Sequence, residues 1–209
     1  MGKNIYTFAR EHGLKEHQVI DVSAGICPLG PSRKVKAAVR KAVRNLAISP
    51  DPDSMGLRRF FRTKFDVSEK AMLFANSLRE ILYLIPAVCR PRRFLVAGPA
   101  LNIYGHAARE YGADPVHVHD GDASVFETSS ESIVHRMKES DLLFIARPNR
   151  ITGKLMKKSD VIGIIANASE KKAFVVVDES LLEFTDDAGL LEELPNRKNL
   201  IILRTTANF

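Results

Sequence analysis

The chain has 209 residues, 45% of them hydrophobic and 27% charged, which fits an ordinary soluble globular protein. No apolar run approaches the roughly 20 residues that a membrane helix needs, and the opening MGKNIYTFAREHG lacks the apolar core of a signal peptide. The net charge of +6 is spread along the chain, which speaks against a nucleic-acid partner and for phosphate-bearing small molecules.

The first 65 residues read as a small N-terminal lobe. A short helix is predicted from Ile5 to His12, then a brief apolar run from Val19 to Val22 and the turn-rich segment GICPLGPS. In and just after the stretch from Arg33 to Arg44, Val35, Ala38, Val39, Ala42, Val43 and Leu46 recur at helical spacing, with Lys34, Lys36, Arg40, Lys41 and Arg44 between them. That pattern predicts an amphipathic helix with a solvated basic side. After the turn SPDPDS, Leu57, Phe60 and Phe61 mark the apolar side of a helix from Met55 to Phe65.

From residue 66 onward strands and helices alternate. Strands are predicted at Ala71–Ala75, Arg93–Ala97, Pro115–Val118, Asp141–Ala146, Ala173–Val177 and Leu200–Leu203. Helices fall at Ser77–Val88, Asn102–Tyr111, Ser130–Lys138 and Ser159–Ala168. The runs LLFIA, AFVVV and LIIL are apolar without a break, as in parallel strands covered on both faces. The expected fold is therefore α/β, a mostly parallel doubly wound sheet over 66–209 preceded by the lobe of 1–65.

Ligands in such sheets bind beyond the carboxyl ends of the strands. Asn76-Ser77-Leu78 opens a helix, where backbone N–H groups can hold a phosphate. Arg147-Pro148-Asn149-Arg150-Ile151-Thr152-Gly153 forms a turn rich in hydrogen-bonding groups. Asp178-Glu179 ends a buried strand, and two readings of Asp178 stay open. It is either a loop or helix-cap carboxylate, or the partner of a buried cation such as a protonated pyridine nitrogen. Adjacent strand residues face opposite ways, so Asp178 and Glu179 cannot act together. His117 and His119 share a face with Asp120 or Asp122 nearby, and read as surface histidines beside a turn rather than a metal site. Cys27 and Cys89 have no metal-ligand spacing and read as free thiols in a reducing cytoplasm.

Several segments resemble one family in order along the chain. SAGICPLGP is similar to SANINPLGP, SPDPDS to YPDPDS, ANSLREILYLI to GNGSTELIYLI and GPALNIYGHAAREYGA to APTFSEYERALRLAGA. RPNRITGKL is similar to NPNNPTGKL, VVVDESLLEFTD to VVDEAFIDFTD and NLIILRTTANF to NLIVLRSLTKF. The resemblance is to the pyridoxal-phosphate (PLP) enzymes of aminotransferase class I/II, in their threonine-phosphate decarboxylase and histidinol-phosphate aminotransferase branches. It implies the PLP-transferase fold (fold type I) and a homodimer with active sites at the interface. It also implies transamination, or decarboxylation of threonine phosphate in cobalamin side-chain synthesis.

The same resemblance implies the site. Asp178 holds the position of the aspartate that keeps the pyridine nitrogen protonated. Ser77 and Leu78 lie at the phosphate turn, with Leu78 and Arg79 in place of hydroxyl side chains. Thr205 matches the serine before the Schiff-base lysine. Elsewhere the sequence departs from the family. Leu101 stands where a stacking aromatic sits, Arg150 where an asparagine bonds the ring hydroxyl, Cys27 for an asparagine and Ser49 for a tyrosine. Asn208 stands where the lysine belongs, and an amide neither forms an imine nor acts as a base near neutral pH. Members of the family continue well past this point, with a further strand between the last and first strands seen here and a late arginine for the substrate carboxylate. The expectation is a truncated, catalytically inactive member that keeps weak phosphate or PLP affinity, or a partner of a related chain. Unpaired edges, at about 1–3 kcal/mol per buried group, should make the sheet rearrange, pair with another chain or be marginally stable.

Overall fold

The computed structural model describes residues 4–21, 29–120, 128–139 and 141–206. Two compact units share the chain, one of residues 1–48 with 206–209, the other of residues 49–205. Among the described residues no helix is long and apolar enough to cross a membrane.

The smaller unit holds α1 (Ile5–Glu11) and α2 (Arg33–Ala42), the latter prolonged by a 3-10 turn at Val43–Asn45. Asn4 caps α1 by accepting from the Thr7 N–H at 2.9 Å, and Ser32 caps α2 from the Val35 N–H at 3.3 Å. Arg40 and Lys41 lie in the last turn of α2, where cations favour the helix dipole. The apolar stripe predicted from the sequence is present but uncovered, with Val35, Val39, Val43 and Leu46 between 48% and 82% exposed.

The larger unit runs α3 (Met55–Phe65), α4 (Leu78–Cys89), β1 (Arg93–Ala97), α5 (Asn102–Glu110), β2 (Val116–Val118), α6 (Ser130–Arg136), β3 (Asp141–Ala146), α7 (Lys158–Glu170), β4 (Phe174–Asp178) and β5 (Leu200–Leu203). The strands form one parallel sheet in the order β2-β1-β3-β4-β5. Alternate strand residues serve two cores. Leu95, Leu143, Ile145, Val175 and Val177 pack with Ile133 of α6 and with Val161, Ile164 and Ile165 of α7. Phe94, Val96, Leu142, Phe144 and Val176 pack with Leu82 and Ile85 of α4 and Tyr104, Ala107 and Ala108 of α5. Both faces are dry, which is why the strands carry no polar alternation. The doubly wound α/β expectation holds.

One predicted strand is absent. After a 3-10 turn at Glu69–Ala71, Met72 is extended (φ −112°, ψ 138°) and exposure alternates from Ala71 to Ala75, yet no ladder forms. A strand needs a partner, and no described residue pairs with residues 71–75. β5 pairs with β4 on one side, and no described residue pairs with its other edge. Residues 72–74 are held by α3 instead. Arg58 Nη1 donates to the Met72 carbonyl at 2.8 Å, and Phe61 lies 5.6 Å from Phe74 between ring centroids.

Four charged side chains tie the carboxyl ends of β3, β4 and β5. Arg147 is 1% exposed and grips Asp187 with both terminal nitrogens, at 2.9 and 2.8 Å, while its Nε donates to the Met156 carbonyl at 2.8 Å. Glu179 is wholly buried. Its Oε1 accepts from the Leu190 N–H at 2.9 Å, and its Oε2 accepts from Arg204 Nε and Nη2 at 3.1 and 2.8 Å. Gly189, at φ +78°, passes over this group, and a Cβ there would meet Arg204 Nη2, Leu182 Cδ2 and Glu179 Oε2. Burial pushes the Glu179 carboxyl up, opposed by Arg204 and Arg147, whereas the hydrogen bonds from Arg147 bring Asp187 down to about 2.

Removing one member of a buried ion group leaves a charge without its counterion. Arg147→Met should therefore lower the unfolding free energy by about 3–5 kcal/mol, measured by urea denaturation. Because Asp187 is depressed in the folded state from 3.8 to about 2, its contribution is complete above about pH 4 and is lost as pH falls toward 2. Denaturation curves at stepwise lower pH should show that loss in the unaltered chain and not in Asp187→Asn.

Candidate functional site

A narrow cleft opens where the sheet order reverses, between the segments that follow β1 and β3, the place where α/β sheets take ligands. Pro99, Ala100 and Leu101 form one wall, Pro148 to Ile151 the other, and Asp178 and Ser180 lie on the floor.

Asn149 builds the second wall. Its Nδ2 donates across the cleft to the Pro99 carbonyl at 2.9 Å, and its Oδ1 accepts from the Ile151 and Thr152 N–H groups at 2.9 and 3.1 Å. The backbone closes the turn, with the Asn149 N–H on the Lys154 carbonyl and the Gly153 N–H on that of Asn149, each at 2.8 Å. A cis peptide joins Arg147 to Pro148. The turn is thus shaped by Asn149, while Arg150 at its tip is exposed.

Asp178 ends β4 in register with Ala146 of β3 and Leu203 of β5 and is 5% exposed. Its Oδ1 accepts from the Ser180 N–H at 2.9 Å, and its Oδ2 accepts from the Tyr104 hydroxyl at 2.5 Å. Tyr104 is 2% exposed and stacks on Phe144 at 5.2 Å. Burial and then the Asp178 charge push the Tyr104 hydroxyl far up, against a weaker opposite pull from Arg150, so it stays protonated and donates. Glu179, the next residue, faces the arginines instead, so the two carboxylates serve separate networks.

Of the residues predicted from the sequence, Leu101, Arg150 and Asp178 meet in this cleft. Ser77, Leu78 and Thr205 do not line it. Ser77 Oγ accepts from the Glu80 N–H at 3.2 Å while Glu80 accepts from the Asn76 N–H at 2.8 Å, a reciprocal cap that opens α4. Leu78 packs into the α4–α5 side of the core, and Thr205 lies partly buried just past β5. Asn208 and Cys27 lie outside the described residues. His117 and His119 are exposed, Asp120 accepts from the Ser129 N–H at 2.6 Å, and no cluster of three metal-ligating side chains occurs among the described residues. Tyr104, the cleft's hydroxyl donor, was not singled out from the sequence, nor was Arg147. The spacing of Tyr104 with Ala107 and Ala108 on one helix face marks it as buried, and a buried hydroxyl needs a partner.

A buried carboxylate at this place suits a protonated ring nitrogen in charge. The void in the cleft is about 10 Å³, enough for about one water molecule, and the Tyr104 hydroxyl already stands on Oδ2.

A sequence profile of the family described as aminotransferase class I and II matches residues 17–208. The chain belongs to this family. Among its relatives there, the histidinol-phosphate aminotransferase of Caldicellulosiruptor saccharolyticus is 29% identical over 98% of this chain and 57% of that protein. The threonine-phosphate decarboxylase of Salmonella typhimurium is 24% identical over 100% of this chain and 57% of that one. In fold, the PLP-bound histidinol-phosphate aminotransferase of Sinorhizobium meliloti superposes with a TM-score of 0.82 at 18% identity, covering 99% of this chain and 56% of its own. The family fold is fold type I, and the chain spans about half the length of the curated relatives it matches.

Because Asn149 makes three side-chain hydrogen bonds, Asn149→Ala should cost about 2–3 kcal/mol by chemical denaturation. Hydrogen exchange at the Ile151 and Thr152 amides should rise more than at β3 amides.

Proposed function

We propose that this chain is a member of the class I/II family without the family's covalent chemistry, retaining weak, non-covalent affinity for a phosphate-bearing compound of the PLP kind. By itself it carries out neither transamination of histidinol phosphate nor decarboxylation of threonine phosphate, the activities named in its relatives. The observation that carries the reading is the lining of the Asp178 cleft. Among the described residues on it there is no lysine, and the cation at its rim is Arg150. Lys154 is exposed at the far end of the same turn and is not among the lining residues. The sequence adds Asn208 at the position of the Schiff-base lysine. Catalysis in this family needs an amine that first attaches the coenzyme and then moves a proton, and an amide supplies neither function. The test is titration with PLP followed by borohydride reduction and peptide mapping. The expected result is reversible binding with no lysine peptide carrying the reduced cofactor. A labelled lysine, Lys154 above all, overturns the reading.

A second reading has its own support. The outer edge of β5, the unladdered residues 72–75 and the uncovered stripe on α2 are surfaces of the kind that another chain covers. In this reading the chain is a non-enzymatic partner that pairs with a full-length paralogue, with a separately encoded C-terminal half, or with a second copy of itself. Sedimentation and pull-down separate these cases. Activity that arises only in a mixture with such a chain supports the reading, and a clean monomer with nothing captured counts against it.

A further inference from the structure

We infer that α2 is a docking helix for another protein, whose covering face is apolar at its centre and rich in carboxylates at its edges. This deepens the partner reading above, on which it rests for the kind of occupant. Every residue from 31 to 50 is exposed, so α2 and its 3-10 extension bury no face of their own. At about 3.6 residues per turn, Val35, Ala38, Val39, Ala42, Val43 and Leu46 make one continuous stripe. A helix of 10 residues is marginal by itself in water, and helices of this size draw their stability from a covered apolar face. The charge around the stripe is one-sided. Arg33, Lys34, Lys36, Arg40, Lys41 and Arg44 are all cations, and no Asp or Glu occurs between Asp21 and Asp51. Lys36 and Arg40 fall on one shoulder of the stripe, Lys34 and Lys41 on the other. None of these cations pairs with a described carboxylate. Cations on both shoulders favour a face whose rim is acidic. The stripe itself separates a protein from a bilayer. Helices that lie in a membrane surface set Trp, Phe or Leu among the headgroups. Between Phe8 and Phe60 there is no aromatic residue, and the stripe is valine and alanine apart from Leu46. Such short side chains stay close to the helix barrel and suit a fitted protein surface.

The probes are two synthetic helical peptides with the same leucine seam, one carrying glutamate and one lysine at every flanking position, and vesicles of phosphatidylglycerol. Binding to the whole chain is read by fluorescence anisotropy, and its place by hydrogen exchange. The glutamate peptide should bind about tenfold more tightly than its lysine twin, slow exchange at the amides from Val35 to Leu46, and lose its advantage at high salt. Lys36→Glu with Lys41→Glu should turn the preference toward the lysine peptide. Val39→Ser with Val43→Ser should weaken both peptides about tenfold. All of these side chains are exposed, so the variants leave the two cores of the sheet intact. Equal binding of the twins, or protection away from α2, overturns the inference, and so does capture by the vesicles without binding of either peptide. Pairing with a related chain that survives both double variants also overturns it and leaves the partner reading standing. Failure of every related chain to pair, while the twins are still told apart at α2, discards the related chains as occupants and supports the assigned surface.

Discussion

A carboxylate at the end of a strand covered on both faces must find its donors within the protein, and this chain has two such carboxylates in succession. Asp178 and Glu179 point to opposite sides of the sheet, and each is answered differently. On one side a neutral hydroxyl and one backbone N–H meet Asp178. On the other, two arginines and a backbone N–H enclose Glu179. The difference decides what each side can do. An ion group balanced by Arg147, Arg204 and Asp187 is a clamp, because removing any member strands a charge. A carboxylate held by one phenol and one amide keeps lone pairs for a further donor.

The clamp also accounts for the irregular chain between β4 and β5. Residues 182–196 form two 3-10 turns and no regular helix, yet Leu190 is buried and Gly189 lies tightly over Glu179. Asp187 and the Leu190 N–H give that segment fixed points on Arg147 and Glu179. Sheet strands are thereby joined at their carboxyl ends by side chains as well as by ladders, and the floor of the cleft inherits that rigidity through the peptide linking residues 178 and 179.

The strands that became part of the sheet were legible because burial on two faces leaves an unbroken apolar run; β3 and β5 lie where those runs predict, and β4 one residue further on. Residues 71–75 carry much the same signal and form no ladder. A strand is a relation between two segments, and composition reports only one of them. Asp178 was legible from its place after such a run. Tyr104 was not, because a tyrosine on the apolar face of a helix reads as core whether or not its hydroxyl has a task. Arg147 was hidden for the opposite reason. An arginine in a turn is normally solvated, and nothing local announces that a carboxylate forty residues away will bury it.

Chemistry and fold part company most clearly in the turn after β3. Its shape depends on Asn149, which bridges to Pro99 and seats the Ile151 and Thr152 amides, and on Gly153, whose φ of +70° suits the return. Ile151 enters the turn's hydrogen bonds through its backbone N–H, so the side chain there can change without disturbing that bond. Leu101, the N-cap residue of α5, likewise packs partly buried against the α4–α5 side of the core. Side chains that line the cleft are thus less bound by the sheet than side chains packed against it. Family membership therefore speaks more firmly for the fold of these residues than for the chemistry at their strand ends.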